Sequence, residues 1–214
     1  NENPCKGTYV KKKVEDTDDL AIDKEKFLSI ADAQKLMELT SEYSNFNTMV
    51  QLLLHTGMRS GELLGLKWEC IDFDAKTICI KYTKCNTDHC YLTTPKTPKS
   101  NRVIQMPQFL CDELQDYLKQ PYGVEPDSRM FPISKSYLHR EMDRGCKQTG
   151  VKRIRIHDLR HSHISLLIDM GFTALAIAER VGHESIDITY RYAHLFPTRQ
   201  AEMADKLDME RKGA

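Results

Sequence analysis

The sequence lacks the features that mark membrane proteins and secreted disulfide scaffolds. Its apolar stretches, such as LLL at 52–54 and ISLLI at 164–168, are far short of the roughly 20 residues that a membrane-spanning helix needs. No signal peptide is evident. The seven cysteines are odd in number and show no disulfide framework, which is typical of a reducing compartment. These absences predict a cytoplasmic globular protein.

The sequence also lacks net charge, because 31 Lys and Arg balance 31 Asp and Glu over 214 residues. Overall charge therefore does not indicate a polyanionic partner. Basic residues nevertheless concentrate in PKTPKSNR at 95–102 and in KRIRIHDLR at 152–160, whereas acidic residues collect at 15–19. If the two basic segments share one face, they form the electrostatic footprint that nucleic acids require.

Sequence motifs for nucleotide cofactors and structural metals are missing. The phosphate-binding pattern G-x-x-x-x-G-K-[ST] does not occur. Cys85, His89 and Cys90 offer three metal ligands, but their spacing matches no common zinc pattern, so a solvated loop is the better interpretation.

Hydrophobic periodicity predicts a mainly α-helical fold of the α+β class with a small antiparallel three-stranded sheet or hairpin. The polar opening segment, 1–25, lacks an initial methionine and reads as a linker that follows an upstream part of a longer protein. We expect a main domain over 26–197 and a tail helix over 198–214. Helices are expected at 28–39, 46–57, 60–66, 108–119, 134–148, 157–170, 173–181, 186–194 and 198–211, and strands at 76–83, 90–94 and 102–106.

The segment IRIHDLRHSH at 154–163 concentrates histidine and arginine on one predicted helix. Helical spacing places His157, Arg160 and His161 on a shared face, and places His163 among apolar residues, where a buried, hydrogen-bonded ring is expected. A metal bound by His157 and His161 would lie beside the permanent cation of Arg160. Arginine instead grips phosphate oxygens, and a helix N-terminus adds free N–H groups. The segment therefore favours a phosphate site.

Two further segments supply groups that suit such a site. In LLLHTGMRSGELLGL, Gly57 ends one predicted helix and Ser60 begins the next, so Arg59 lies at a tight junction, where Glu62 can orient its guanidinium or cap the helix. In VGHESIDITYRYAHL, His183 and Tyr192 are nine residues apart. They can converge only if the chain bends between them.

In this order, TGMRSGEL, PKT ahead of NRVIQM, HDLRHSH, VGH and YRYAHL resemble the catalytic domain of the tyrosine recombinases, the integrase family of phages and conjugative transposons. The resemblance covers residues 26–197. It implies a mostly helical domain that cuts and rejoins double-stranded DNA through a 3′-phosphotyrosyl link, without metal or high-energy cofactor. It also implies an N-terminal DNA-binding domain ahead of the linker at 1–25. The same resemblance implies a protein that is a monomer when free and a tetramer on specific DNA sites, with accessory DNA-bending factors.

The resemblance assigns roles that suit each side chain. Tyr192 is the nucleophile rather than Tyr190, and it needs a base because a phenol has a pKa of about 10; His157 is expected to be that base. Arg59 and Arg160 neutralise the phosphate, and His183 donates a hydrogen bond to it. Lys96 protonates the leaving 5′-oxygen, with Lys99 as the competing candidate. For His161 three alternatives stay open: a support behind the site residues, a DNA contact, or no role. The side chains expected to contact DNA elsewhere are Lys99, Arg102, Lys152, Arg153, Arg155 and Arg191.

Three alternatives stay open from the sequence. A type IB topoisomerase shares the nucleophile chemistry but relaxes supercoils without a specific site. A DNA-binding regulator could keep the fold without the chemistry. A metal-dependent phosphodiesterase could use His157, Asp158, His161 and His183. For the tail, the stripe of Ala201, Ala204 and Leu207 can dock on a neighbouring protomer or fold back on its own domain.

Overall fold

A computed structural model describes residues 27–39, 44–84, 92–93, 100–119, 125–196 and 200–213. The expected linker at 1–25, the Cys85, His89 and Cys90 cluster, and both Lys96 and Lys99 lie outside those residues. Within the described part, no helix is both long and apolar enough to span a bilayer.

The described residues form mostly helices, as the sequence predicts, together with two small antiparallel sheets. The helices are α1 Ile30–Leu39, α2 Ser44–Thr56, α3 Ser60–Gly65, α4 Gln108–Leu118, α5 Lys135–Thr149, α6 Asp158–Asp169, α7 Ala174–Val181, α8 Ile186–Tyr190 and α9 Gln200–Gly213. Helix ends follow local capping rules: the Ser29 hydroxyl accepts a hydrogen bond from the Asp32 N–H, and the Ser134 and Thr173 hydroxyls accept from the N–H groups of Tyr137 and Ala176.

The strands differ from the expected arrangement in their pairing. They are β1 Ile71–Asp72, β2 Thr77–Ile80, β3 Thr83–Lys84, β4 Leu92–Thr93 and β5 Arg102–Gln105. A three-stranded sheet has the order β1-β2-β5, in which Ile78 pairs with Ile104 and Ile80 with Arg102. The 92–93 strand instead pairs with β3 in a separate ribbon. The expected three-stranded sheet is thus present, but with β1 in place of the strand predicted at 90–94.

A large apolar core lies around α2, which packs against α4 and α6. A smaller cluster forms beneath α6 and α7 from Ile164, Ile168, Ile177, Val181 and the ring of Tyr192. Burial of this apolar surface fixes α6 between α2 and α7. The polar end of α6 is thereby held against the C-terminal ends of both neighbouring helices.

The helix predicted at 186–194 is interrupted. Helix α8 ends at Tyr190, and a 3-10 turn follows at Ala193–Leu195. The chain between them bends, with the Tyr192 N–H donating to the Thr189 carbonyl and the Leu195 N–H donating to the Tyr192 carbonyl. The bend turns the Tyr192 side chain into the cluster beneath α6 and α7, where it is 2 % exposed.

Candidate active site at the ends of two helices

The C-terminal end of α2 gives the candidate site its first fixed points. The last carbonyls of a helix have no partner inside the helix. Here side chains of α6 and α7 supply donors: His163 Nδ1 lies 2.7 Å from the Leu54 oxygen, Arg180 Nη2 lies 3.0 Å from the His55 oxygen, and Arg160 Nη1 lies 2.6 Å from the Gly57 oxygen. Arginine and histidine suit this place because a helix C-terminus carries partial negative charge.

The end of α7 is held in the same way from the opposite side. Arg59 Nη2 donates to the Gly182 carbonyl at 3.3 Å, and Arg102 Nε donates to the Arg180 carbonyl at 2.9 Å. His183, directly after Gly182, is therefore fixed beside both arginines. Two helix ends thus gather four arginines into one place.

One buried carboxylate, Glu62, links two of these arginines. Its Oε1 lies 2.9 Å from Arg59 Nη1, and its Oε2 lies 2.9 Å both from the Arg59 backbone N–H and from Arg102 Nη2. Both functions predicted for Glu62, orienting the guanidinium and capping α3, are confirmed. Burial by itself raises the pKa of Glu62, but the hydrogen bond and charge of Arg102 and the charge of Arg59 outweigh it and lower that pKa.

Arg160 lies fully buried within this cluster and keeps one donor uncommitted. Its Nη1 donates to the Gly57 carbonyl, whereas its buried Nη2 has no hydrogen-bond partner among the described residues. Burial first, and then the charge of Arg59, lower the pKa of the guanidinium. Arginine remains protonated at neutral pH in proteins. A buried cationic donor without an acceptor is costly, so the site suits an incoming anion.

His183 is a neutral ring at this edge of the site. Its Nδ1 lies 2.8 Å from the Thr189 hydroxyl oxygen. Burial, followed by the charges of Arg160 and Arg59, lowers the pKa of His183 to about 3. At neutral pH the ring is therefore uncharged and carries one N–H donor.

Tyr192 lies at the other edge of the site. Its Oη contacts His161 Nδ1, and the two rings are tilted with centroids 5.9 Å apart. The His157 ring meets the His161 ring edge-on, with centroids 5.0 Å apart. Tyr190, two residues earlier, is 53 % exposed and faces a groove that Phe172 and Met203 also line.

The prediction that the N-terminus of α6 presents free N–H groups to a phosphate is wrong. Asp158, Leu159 and Arg160 donate theirs to the carbonyls of Arg155, Ile156 and His157. Positive charge at this place comes from arginine side chains instead. The buried, hydrogen-bonded state predicted for His163 is confirmed, since the ring is 2 % exposed and bonded on both nitrogens.

The residues expected to contact DNA are distributed unevenly. Lys152, Arg153 and Arg155 are exposed on the segment before α6, and Arg191 is exposed after α8. Arg153 pairs with Asp143, and Arg155 Nη2 lies 2.8 Å from Asp158 Oδ1. The Arg102 side chain, by contrast, is 6 % exposed and turned inward to Glu62.

Sequence reasoning missed the inward position of Arg102, although β5 carried a signal for it. Because side chains alternate along a strand, Arg102 shares a face with Ile104 and Met106, both of which are buried. His161 carried a similar signal. At helical spacing it shares a face with Ile164 and Ile168, which pack around Tyr192.

The described residues contain no group of three or more His, Cys, Asp or Glu that could hold a metal ion. The Asp158 carboxylate, a ligand in the metal-dependent alternative, accepts hydrogen bonds from the backbone and guanidinium of Arg155.

Comparison with known proteins finds integrases among the relatives of this chain. The chain is 34 % identical to the ICEBs1 integrase of Bacillus subtilis strain 168, over 86 % of this chain and 52 % of that protein. It is 27 % identical to the integrase of Staphylococcus phage L54a, over 97 % of this chain and 67 % of the relative. The chain thus spans about half the length of the Bacillus protein.

The fold matches a solved structure with the same architecture. That structure, the Tn1549 transposon integrase in complex with transposon right end DNA, superposes with a TM-score of 0.68 at 21 % identity, over 87 % of this chain and 66 % of that chain. The model of the phage integrase family matches residues 26–199. With the motifs in order and the arginines gathered at one site, the chain belongs to the phage integrase family.

Proposed function

We propose that this protein is a tyrosine site-specific recombinase that cleaves and rejoins double-stranded DNA for the integration or excision of a mobile element. The observation that carries the proposal is the buried Arg160 Nη2, a cationic donor without an acceptor among the described residues, in a cluster that also contains Arg59 and His183. A phosphodiester supplies the missing acceptor. The integrase names of the relatives support the same reaction class.

The proposed reaction divides the site into three tasks. Tyr192 attacks the scissile phosphorus and forms a 3′-phosphotyrosyl bond. Arg59 and Arg160 bind the non-bridging oxygens, and the neutral His183 donates one hydrogen bond to them. Lys96 donates a proton to the departing 5′-oxygen, and an imidazole of the pair His157 and His161, whose rings meet edge-on beside Tyr192, accepts the proton of the tyrosine. The 5′-hydroxyl of the exchanged strand then reverses the attack, so no external energy source is needed.

DNA contacts away from the chemistry are proposed for the exposed Lys152, Arg153, Arg155 and Arg191 and for Lys99, mostly to phosphates and therefore sensitive to salt. The solved relative with transposon end DNA supports duplex DNA as the partner class. For Arg102 the inward position supports a positioning role in place of a direct DNA contact. We place the reaction in the bacterial cytoplasm, where the DNA of a mobile element resides.

A tetramer on two DNA sites is proposed for the assembled state, with a monomer in the absence of DNA. Helix α9 supports contacts between protomers, because Leu207 and Met209 are 72 % and 67 % exposed. Covering an apolar side chain that is so exposed to water lowers the free energy of the complex. Leu207→Glu should therefore weaken assembly on DNA, as measured by the mass of the complex, while leaving the fold unchanged.

The test of the reaction class is covalent trapping. The protein is incubated in EDTA with nicked substrates that carry the ends of its own element, and the DNA-linked peptide is identified by mass spectrometry. We expect an adduct on Tyr192 that Tyr192→Phe abolishes and Tyr190→Phe retains. An adduct on Tyr190 would keep the class and move the nucleophile. If protein bound to the site forms no adduct, the recombinase proposal is wrong, and cutting restored by zinc or manganese would favour the phosphodiesterase.

A further inference from the structure

The hydroxyl of Tyr192 has an imidazole partner that the recombinase motifs do not assign. Tyr192 Oη contacts His161 Nδ1, and both side chains are buried, at 2 % and 7 % exposure. His161 follows Arg160 directly on α6. Two consecutive residues of α6 therefore have different partners: Arg160 lies in the arginine cluster, and His161 contacts the tyrosine hydroxyl.

Proton removal is the difficult part of a tyrosine attack, because the phenol is almost fully protonated at neutral pH. A general base must lie within hydrogen-bonding reach of the proton it takes. The sequence alone favours His157 for this task. In the structure, Tyr192 Oη contacts His161 Nδ1. The His157 ring meets the His161 ring edge-on, with centroids 5.0 Å apart.

We propose that His161 is the general base for the nucleophile, a role that rests on the recombinase function proposed above. The Tyr192 O–H donates to an unprotonated Nδ1, and the proton passes to that nitrogen as Oη forms its bond to phosphorus. The bond from phosphorus to the 5′-oxygen breaks, and that oxygen takes its proton from Lys96. In the reverse reaction the imidazolium of His161 returns the proton to Oη as the phosphotyrosyl bond breaks.

Asparagine separates proton transfer from positioning. The Oδ1 atom of Asn occupies nearly the place of imidazole Nδ1 and accepts a hydrogen bond, but it cannot take a proton at neutral pH. His161→Asn should therefore hold Tyr192 in place while lowering single-turnover cleavage about 10²-fold or more, the usual range for a lost general base. His157→Asn is the matched control, because it changes the neighbouring ring on the same helix face.

The pH profile of covalent-complex formation distinguishes the two histidines. A substrate with sulfur in place of the bridging 5′-oxygen needs no acid for its leaving group, so the profile reports the base alone. We expect the fall in rate on the acid side to persist in His157→Asn and to vanish in His161→Asn. A His161→Asn rate within about threefold of wild type, or loss of the acid limb in His157→Asn alone, would overturn the proposal.

Nitrogen NMR of the histidine rings tests the contact independently of any activity. In the free protein we expect His161 to carry its proton on Nε2, with an Nδ1 resonance that shifts in Tyr192→Phe, while exposed His194 stays unchanged. A protonated Nδ1 would make His161 a donor to Tyr192 and would overturn the proposal. If wild-type protein formed no adduct, the recombinase function and the proton transfer would both fail, although the ring measurement would still report the hydrogen bond.

Discussion

The two sides of the site are held in different ways. On the arginine side, Arg59, Arg102 and Arg160 are fixed by one carboxylate and by the carbonyls of two helix ends. On the nucleophile side, Tyr192 follows a five-residue helix and lies next to a 3-10 turn. Helix ends and buried ion pairs have few alternative arrangements, whereas short elements at a chain bend can move at low cost.

This difference suits a reaction in which the phosphate site must exist before DNA arrives and the tyrosine must reach it afterwards. Preorganised charge needs no rearrangement at the moment of reaction. Tyr192 is 2 % exposed, so its hydroxyl reaches a phosphate only when DNA enters the cluster or when the segment shifts. Variants of the arginine side should therefore cost both stability and chemistry, and variants of the nucleophile side mainly chemistry.

The largest effect on stability is expected from Glu62→Gln. The amide keeps the shape but removes the negative charge that faces Arg102, whose side chain is 6 % exposed, and a buried charge left uncompensated costs about 3–5 kcal/mol. Denaturant unfolding measures this loss. Glu141→Gln is the matched control, because Glu141 is also buried but its partners Arg140 and Arg144 are 72 % and 40 % exposed, so water can solvate them. Equal losses of stability in both variants would show that Glu62 does not compensate a buried arginine charge.

Arg160→Lys should lose nearly as much free energy, but from the transition state of cleavage and not from the stability of the fold. Lysine keeps a positive charge and cannot both donate to the Gly57 carbonyl and bind a phosphate oxygen with a planar fork. Loss of one such donor lowers single-turnover cleavage by about 10²–10³-fold, or about 2.7–4 kcal/mol. Arg144→Lys, on α5, controls for the loss of an arginine. A cleavage rate for Arg160→Lys within about threefold of wild type would mean that a single positive charge at this position is enough and that the planar guanidinium is not needed.

The next test compares two glycines that share a left-handed backbone. Gly57 has φ +65° and Gly150 has φ +67°. An added Cβ at Gly57 would lie 2.5 Å from His163 Cδ2, whereas an added Cβ at Gly150 would meet no neighbouring atom within 4 Å. Gly150→Ala should cost about 1–2 kcal/mol, the price of the backbone alone. Gly57→Ala should add about 1–3 kcal/mol for the clash and should also slow cleavage, because the Gly57 carbonyl holds Arg160. Equal effects on both measurements would contradict this distinction.

Sequence reasoning reached the elements and most of the site because each depends on local signals. Periodicity located the helices, Gly57 and Ser60 marked the junction at Arg59, and the ordered motifs brought distant segments together by resemblance. The interrupted helix at 186–194 carried no such signal, since IDITYRYAHL contains neither glycine nor proline. The break at Tyr190 depends on burial of Tyr192 against Ile164 and Ile168, which is a tertiary contact.

The inward position of Arg102 illustrates the same limit for charge. An arginine next to a basic segment reads as a surface cation, because burial of a charge depends on a partner elsewhere in the chain. Its partner, Glu62, lies 40 residues away in sequence. The alternation of side chains along β5 indicated that Arg102 lies on the buried face of the strand. Only the fold could identify Glu62 as its carboxylate partner.

The last and smallest expected change is a slope, at most about 1.4 kcal/mol per pH unit, and it concerns His163, the neutral ring that supports the arginine side. His163 donates from Nδ1 to the Leu54 carbonyl and accepts from Arg180 Nε at Nε2, an arrangement that requires a neutral ring. Burial, followed by the charge of Arg180, lowers the pKa of His163 to about 3. Because an unfolded histidine has a pKa of about 6.5, the unfolded state binds the proton first on acidification. Stability is therefore full above about pH 6.5 and falls toward pH 3, by at most about 1.4 kcal/mol per pH unit for each such ring.

His163→Asn removes that titration while keeping a donor for the Leu54 carbonyl. The variant should be less stable at pH 7 and should lose part of the pH dependence between pH 6.5 and 4, because His183, His55 and His139, whose pKa values are also lowered, keep their shares. Denaturant unfolding at several pH values gives the slope directly, and His194→Asn, which changes an exposed ring, should leave it unaltered. An unchanged slope in His163→Asn would mean that this ring is already charged in the folded protein, and the support of Arg180 would then need another explanation.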